Sequence, residues 1–414
     1  MYYYQENGRI YAALSPKLPL QKVDDLRAMQ PRAILFEAPP ENRRTTFCVT
    51  DAKQITASES IAWLDPARIA DGEVAVPTDI LNRIEQRTLA AVNIRHPRWR
   101  EAIEMAALQP KRSRVHLLAV GDVGSTLLTG LKLLGGDCIE TIGIFDLNAV
   151  TAARWTAEMS QIAWPWDYDA LPNVEAVGTE NLFDCDVFIF AATKAIPAVG
   201  SAVKDVRMAQ FSANRAIVEY YAKLARSANF KGLFIVLSDP VDPLCKAAYL
   251  ASNQEESGTW DGKGLLAEQV QGFGLGVMNA RAAALAKQEE KFSRFLTEGR
   301  SFGPHGEGLV IANSLSSYDD TISRELTEMV KTANLRIREI GFKPYVAPAL
   351  SSGAFQLLLT LRGQWHCGSV CLGGVWFGCR NRFTSAGIEI EGLALPDALY
   401  KRLLETQQTL SEII

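Results

Sequence analysis

The sequence predicts an α/β fold: a largely parallel sheet covered by helices on both faces, an α+β half after it, and an additional N-terminal α+β region. Three observations predict it. From residue 115 onward, short apolar runs alternate with helical segments, the pattern of strand–helix–strand units. Those runs are apolar at consecutive positions, as strands buried on both faces must be. Before residue 115 the pattern differs, with short strand-like runs set between clusters of Pro, Asn and Asp.

Taken in order, residues 9–14, 33–37 and 45–50 read as strands of the N-terminal region. Residues 80–87 read as a helix, because Ile80, Leu81 and Ile84 fall at helical spacing, with Thr78 or Asp79 as its N-cap. The basic run Lys111-Arg112-Ser113-Arg114 reads as a solvated hinge. Residues 115–120, 142–145, 186–192 and 232–237 are the buried-type strands, and 123–134, 214–228, 266–288 and 321–340 the helices. Residues 353–361, 369–372 and 387–391 read as β-rich, and 394–414 as a closing helix. The implied units are an accessory region at 1–112, a nucleotide-binding unit at 113–260 and a catalytic unit at 261–414.

The chain has 414 residues, 48% hydrophobic and 22% charged, with a formal net charge of −4. That is a globular composition with no broad basic surface, so no nucleic-acid partner is expected. No apolar run is long enough to span a bilayer, and the start lacks the layout of a signal peptide. The seven cysteines include no Cys-x-x-Cys pair. Reduced thiols and a cytoplasmic location are therefore expected.

The first strand of the α/β part runs into Ala119-Val120-Gly121-Asp122-Val123-Gly124. This is an A-x-G-x-x-G form of the dinucleotide fingerprint, which predicts a Rossmann NAD-binding domain. Gly121 lets the backbone approach a pyrophosphate, Gly124 lets the helix pack close to the strand, and the helix N-terminus offers N–H groups to phosphate. Asp146, closing the next strand, is placed to accept bonds from ribose hydroxyls. No Arg follows it, which favours NAD over NADP. Ala191, near the end of the 186–192 strand, completes the cofactor-side candidates.

From about residue 115 the sequence resembles the lactate/malate dehydrogenase superfamily. The segments that carry the resemblance come in family order. They are the 186–192 strand; Arg207-Met-Ala-Gln-Phe-Ser-Ala-Asn214, like R-x-x-L-x-x-x-N; Ser238-Asp239-Pro-Val-Asp242, like S-N-P-V-D; Gly272 to Arg281, like G-x-G-x-x-L-D-x-A-R; and Gly303-Pro-His305-Gly-Glu307, like G-E-H-G-D. The resemblance implies hydride transfer between NAD and a small 2-oxo or 2-hydroxy acid. It implies a homodimer or homotetramer. It puts His305 in the acid/base role, Arg281 on the substrate carboxylate and Arg207 over the carbonyl. These are the residue types that such chemistry needs.

Three departures bear on the site. Met278 stands where the family carries the aspartate that orients the histidine. Asp239 replaces the neutral Asn of S-N-P-V-D. Lys343, in Ile340-Gly-Phe-Lys-Pro-Tyr345, stands where K-G-Y-T-S-W has a small neutral residue beside the substrate. Three readings stay open. Asp239 supports His305 from another side; Lys343 pairs with Asp239 or meets an extra anionic group on a larger substrate; or the site is degenerate and the protein is an NAD-binding regulatory or scaffold protein.

Other clusters invite simpler readings. Trp164-Pro-Trp166-Asp-Tyr168 is expected to pack locally. Cys367, Cys371 and Cys379 near His366 are expected to point to different faces of strands, so no metal site is predicted. Glu389 and Glu391 read as a solvated face, and His96-Pro-Arg-Trp99 as structural.

Overall fold

The computed structural model describes all residues except 24–29, 71, 73–74, 107–111 and 195–205; it also leaves the side chains of residues 106 and 206–209 undescribed. The N-terminal region comprises β1 (Tyr2–Glu6), β2 (Arg9–Ala13), β3 (Gln21–Val23), β4 (Ala33–Phe36), β5 (Thr46–Cys48), α1 (Thr78–Glu85), β6 (Ala90–Asn93) and α2 (Trp99–Ala106). Its strands form one mixed sheet in the order β3-β1-β2-β4-β6-β5. The N-cap of α1 is Pro77, without a side-chain bond, and not the expected Thr78 or Asp79.

Next come β7 (Ser113–Leu118), α3 (Asp122–Leu134), β8 (Ile139–Phe145), α4 (Ala149–Met159), β9 (Asn173–Ala176), β10 (Val187–Phe190), α5 (Val206–Ser227), β11 (Leu233–Val236), α6 (Val241–Ser252), β12 (Val270–Gly272) and α7 (Leu275–Ala286). The described part of the expected basic hinge belongs largely to β7, where Arg114 pairs with Glu175; Lys111 lies outside the described residues. The parallel strands lie in the order β9-β8-β7-β10-β11-β12. The order reverses between β7 and β10, where this kind of sheet opens a ligand crevice at its carboxyl edge. Both faces are covered because both sets of alternating side chains are apolar. Val187 and Ile189 of β10 join one core cluster, and Phe188 and Phe190 the other.

The chain continues through α8 (Phe295–Glu298), β13 (Arg300–Phe302), β14 (Val310–Ala312), α9 (Asp320–Glu339), a π-helical stretch Pro348–Ala354, α10 (Phe355–Leu361), β15 (His366–Leu372), β16 (Val375–Thr384), β17 (Gly387–Ile390) and α11 (Asp397–Ile413). Two expectations fail here. Residues 266–288 are not one helix, since a three-residue strand, β12, completes the parallel sheet before α7 begins. Residues 353–361 are helical, because Ala354, Leu357 and Leu358 fall at helical spacing and pack in one cluster with Leu127 and Leu131 of α3; Gly130 of α3 lies close against Leu350 and Ala354. The antiparallel β15-β16-β17 meander extends the main sheet beyond β12.

The N-terminal sheet and this meander share one hydrophobic core. Ile34, Phe47, Ile61 and Ala91 pack in the same cluster as Val370, Phe377, Ile388 and Leu399. Polar bonds reinforce the seam. Glu268 accepts the Thr45 and Thr46 N–H groups at 2.9 and 3.1 Å. Glu389 is buried and paired with Arg87 and Arg382, and Glu391 is paired with Arg300 and Arg380. The expectation of a solvated acidic face at 389–391 is thus corrected: these carboxylates are ion-paired inward. His96, also buried, packs edge-on against Trp260.

Candidate active site

The crevice at the switch point is a cavity of about 640 Å³. Its floor is the glycine loop. Ala119 adopts φ +72°, the left-handed turn for which glycine is usual. A side chain at Gly124 would run into the Ala119 carbonyl at 2.0 Å, so the close helix–strand approach requires glycine there. Gly121 faces open space and caps α3 with no side-chain bond, leaving the first N–H groups of the helix directed at the cavity. Asp146 accepts the Val120 N–H at 3.1 Å and the Asn148 N–H at 2.9 Å. An open glycine at an uncapped helix start fits a bound dinucleotide phosphate. Gly121, Asp122, Val123, Gly124 and Ala191 line the cavity; Ala119 and Asp146 shape the loop from behind.

The opposite wall brings together chain segments far apart in sequence. Asn214, fully buried, bonds the Lys194 N–H and the Asp239 carbonyl, tying the ends of β10 and β11 together. Ser352 holds the start of α7 by accepting from Val277 N–H and donating to the Gly274 carbonyl. Gly274 allows the His305 loop to close in, since a side chain there would stand 2.9 Å from the His305 Cβ. The result is a contact of 2.8 Å between His305 Nδ1 and Asp239 Oδ1. A carboxylate only accepts, so Nδ1–H donates and Nε2 is the nitrogen left for proton transfer.

Histidine chemistry has no other station in this chain. His96, His116 and His366 are buried at 1%, 0% and 2% exposure, and burial lowers the pKa of each. His305 alone of the four lines the cavity. Asp242, buried nearby, is pushed up to about 6 by desolvation; the Ser369 hydroxyl it accepts acts in the other direction.

Arg281 also lines the cavity. Its guanidinium reaches the Val330 carbonyl at 3.3 Å and the Met278 sulfur at 3.8 Å. Burial lowers its pKa and the charge of Asp239 opposes this. Met278 is 2% exposed and packs in the core beneath α7. It is not a pocket residue, which corrects that expectation: its thioether packs in the core, with the Arg281 guanidinium beside it. Lys343 lies at the cavity but bonds Asp122 at 2.9 Å. Of the two options for Lys343, the pairing with Asp239 is not what the structure shows: its partner is Asp122. The backbone of residue 207 belongs to α5, and the Arg207 side chain lies outside the described residues.

Sequence reasoning missed Gln210, Asn334, Arg338, Phe342 and Tyr345, all of which line the cavity. The one available signal was the four-residue spacing of Val330, Asn334 and Arg338 on α9. The aromatic cluster is corrected as well. Trp164, Trp166 and Tyr168 are 61%, 90% and 71% exposed instead of packed. Cys367, Cys371 and Cys379 point into three different core clusters. All seven cysteines are free thiols. No helix among the described residues is long and apolar enough to cross a membrane.

No protein-family model matches the sequence, and no curated protein matches it either. Solved structures do. A minor L-lactate dehydrogenase from Enterococcus mundtii is 18% identical, with a TM-score of 0.59; the match covers 74% of this chain and 98% of that one. Malate dehydrogenase from Plasmodium falciparum is 14% identical, with a TM-score of 0.57 over 73% and 97%. Malate dehydrogenase from Archaeoglobus fulgidus, solved with NADH, is 17% identical, with a TM-score of 0.55 over 72% and 98%. The chain thus shares the fold of these lactate and malate dehydrogenases at low sequence identity. The uncovered quarter is consistent with an extra N-terminal region.

Proposed function

We propose that this protein is an NAD-dependent oxidoreductase that interconverts a 2-oxo acid and the corresponding 2-hydroxy acid. The observation that carries the reading is the His305–Asp239 pair at 2.8 Å, in one cavity with the glycine loop and Arg281. Bound NADH would supply a hydride to the carbonyl carbon of the acid. His305 gives its Nε2 proton to the carbonyl oxygen, so 2-oxo acid, NADH and one proton become 2-hydroxy acid and NAD. Asp239 holds the imidazole by Nδ1 and stabilises its protonated form, as a carboxylate does in other His–carboxylate pairs. Arg281 takes the substrate carboxylate through its paired N–H groups. Asp239 is the surrogate for the carboxylate that Met278 does not provide.

Met278 itself favours a second reading, an NAD-binding protein without turnover. The test is NADH oxidation with pyruvate, oxaloacetate and branched 2-oxo acids, repeated with NADPH. Turnover with NADH ahead of NADPH is expected. Tight NADH binding with no oxidation on the whole panel would replace the enzyme by the binder.

A further inference from the structure

Six acidic or basic side chains line the cavity: Asp122, Asp239, Arg281, His305, Arg338 and Lys343. Four of them are matched. Lys343 holds Asp122 at 2.9 Å, and His305 holds Asp239 at 2.8 Å. Among the described residues, neither Arg281 nor Arg338 has an ion pair. Two arginines facing one cavity can each take an anionic group of a single ligand.

Their positions say how far apart those groups lie. Arg281 bonds the carbonyl of Val330 on α9. Asn334 and Arg338 follow at four and eight residues along the same helix and line the same cavity. Eight residues are about 12 Å of helix rise. Side chains on a helix lean toward its N-terminus, which brings the Arg338 guanidinium back over Asn334. A polar stripe of two cations with an amide between them therefore runs along α9. Phe342, Pro344 and Pro348, which line the cavity too, supply apolar surface. Arg336 in the same last turn is also placed to offset the negative end of the helix, so that need alone does not explain Arg338 in the cavity.

We propose that the substrate is a 2-oxo diacid whose second carboxylate is set off by a methylene chain longer than that of oxaloacetate. Arg281 holds the carboxylate next to the reacting carbonyl and Arg338 the distal one. This rests on the 2-oxo acid reading above. The same guanidinium would also suit a phosphate of the cofactor, and the experiment separates the two.

The full-length protein is assayed with NADH and either 2-oxoadipate or 2-oxohexanoate, which have equal carbon chains and differ in the distal carboxylate. The wild type is expected to favour 2-oxoadipate at least ~10-fold in kcat/KM. Arg338→Gln should lose about 10–100-fold on 2-oxoadipate, the range for a charge-assisted pair. It should leave 2-oxohexanoate turnover and NADH affinity unchanged. Arg336→Gln, two residues from Arg338 and not among the residues lining the cavity, should keep the preference. A wild type that prefers 2-oxohexanoate, or an Arg338→Gln loss equal on both acids, overturns the proposal. So does weakened NADH binding in Arg338→Gln with acid preference intact, which assigns the residue to the cofactor. If neither acid is reduced, both are titrated into the NADH-loaded protein by calorimetry. Tighter binding of 2-oxoadipate that Arg338→Gln abolishes then keeps the distal site while the oxidoreductase reading falls. Equal binding of the two acids removes the distal site.

Discussion

Asp239 and Glu268 are both carboxylates held by other parts of the chain, and the structure uses them in opposite ways. Asp239 is 39% exposed, stands at a cavity and meets a histidine that has a second nitrogen still to offer. Glu268 is 6% exposed at the seam between the N-terminal sheet and the rest, and its oxygens accept two backbone N–H groups. Burial pushes its carboxyl up to about 7. The first arrangement leaves a proton path to a ligand. The second costs desolvation and fixes one piece of backbone against another. Access to a cavity, more than residue type, separates a site from a weld.

The comparison can be broken first at the weld. Removing residues 1–112 would strip the N-terminal half of a shared core from the β15-β16-β17 meander. Each large apolar side chain lost there is worth about 1.5–3 kcal/mol of burial, against a total stability of about 5–15 kcal/mol. The truncated chain should not fold, as read by circular dichroism and gel filtration. A folded, NADH-binding remnant would make the N-terminal region an independent accessory after all.

The cavity side is sharpened by Arg281→Lys. Lysine keeps the charge and loses the planar fork. The expected loss is about 10–100-fold in kcat/KM, mostly in KM, with thermal stability little changed; an unaltered KM would remove Arg281 from the substrate.

Glu268→Gln probes the weld by pH. The folded chain keeps a proton on Glu268 from 4.5, its ordinary value, up to about 7, where the unfolded chain has already lost it. That stability is fully present below 4.5 and is lost as pH rises through about 7. The variant does not titrate. Its stability relative to wild type should therefore rise by on the order of 2 kcal/mol between about pH 5 and 8. Parallel pH curves from urea unfolding would contradict this.

The smallest effect belongs to the glycine loop. Ala119→Gly relieves a left-handed backbone at some cost in unfolded-state entropy. A gain of up to about 1 kcal/mol is expected, or roughly 1–2 °C in Tm. A lower Tm would mean that the Ala119 methyl is a needed contact.

The apolar strands were legible because a strand buried on both faces leaves a continuous run; both sides of Phe188-Ile189-Phe190 meet core. β12 was not, because three residues, the last of them a glycine, are too short to show a period. Residues 353–361 were misread because a largely buried apolar segment looks the same in sequence whether it is helix or strand. The His305–Asp239 pairing was legible as one option, from a carboxylate gained where another was lost. The Asp122 partner of Lys343 was not legible, since nothing in sequence spacing says which anion a lysine 221 residues away reaches. Arg338 was invisible because a charge on a helix end is ordinary until the fold turns it toward a cavity.

The central claim is that the catalytic carboxylate now stands at 239 and not at 278. Its most direct test is steady-state kcat/KM for NADH-dependent reduction of a turned-over 2-oxo acid, compared between Asp239→Asn and Met278→Asp. Asp239→Asn should lose about 10²–10⁴-fold with NADH affinity retained. Met278→Asp should gain nothing and should lower stability, since it buries a carboxylate that must be desolvated and that competes with the substrate for Arg281. Full activity in Asp239→Asn, or activity that appears only in Met278→Asp, would contradict the account.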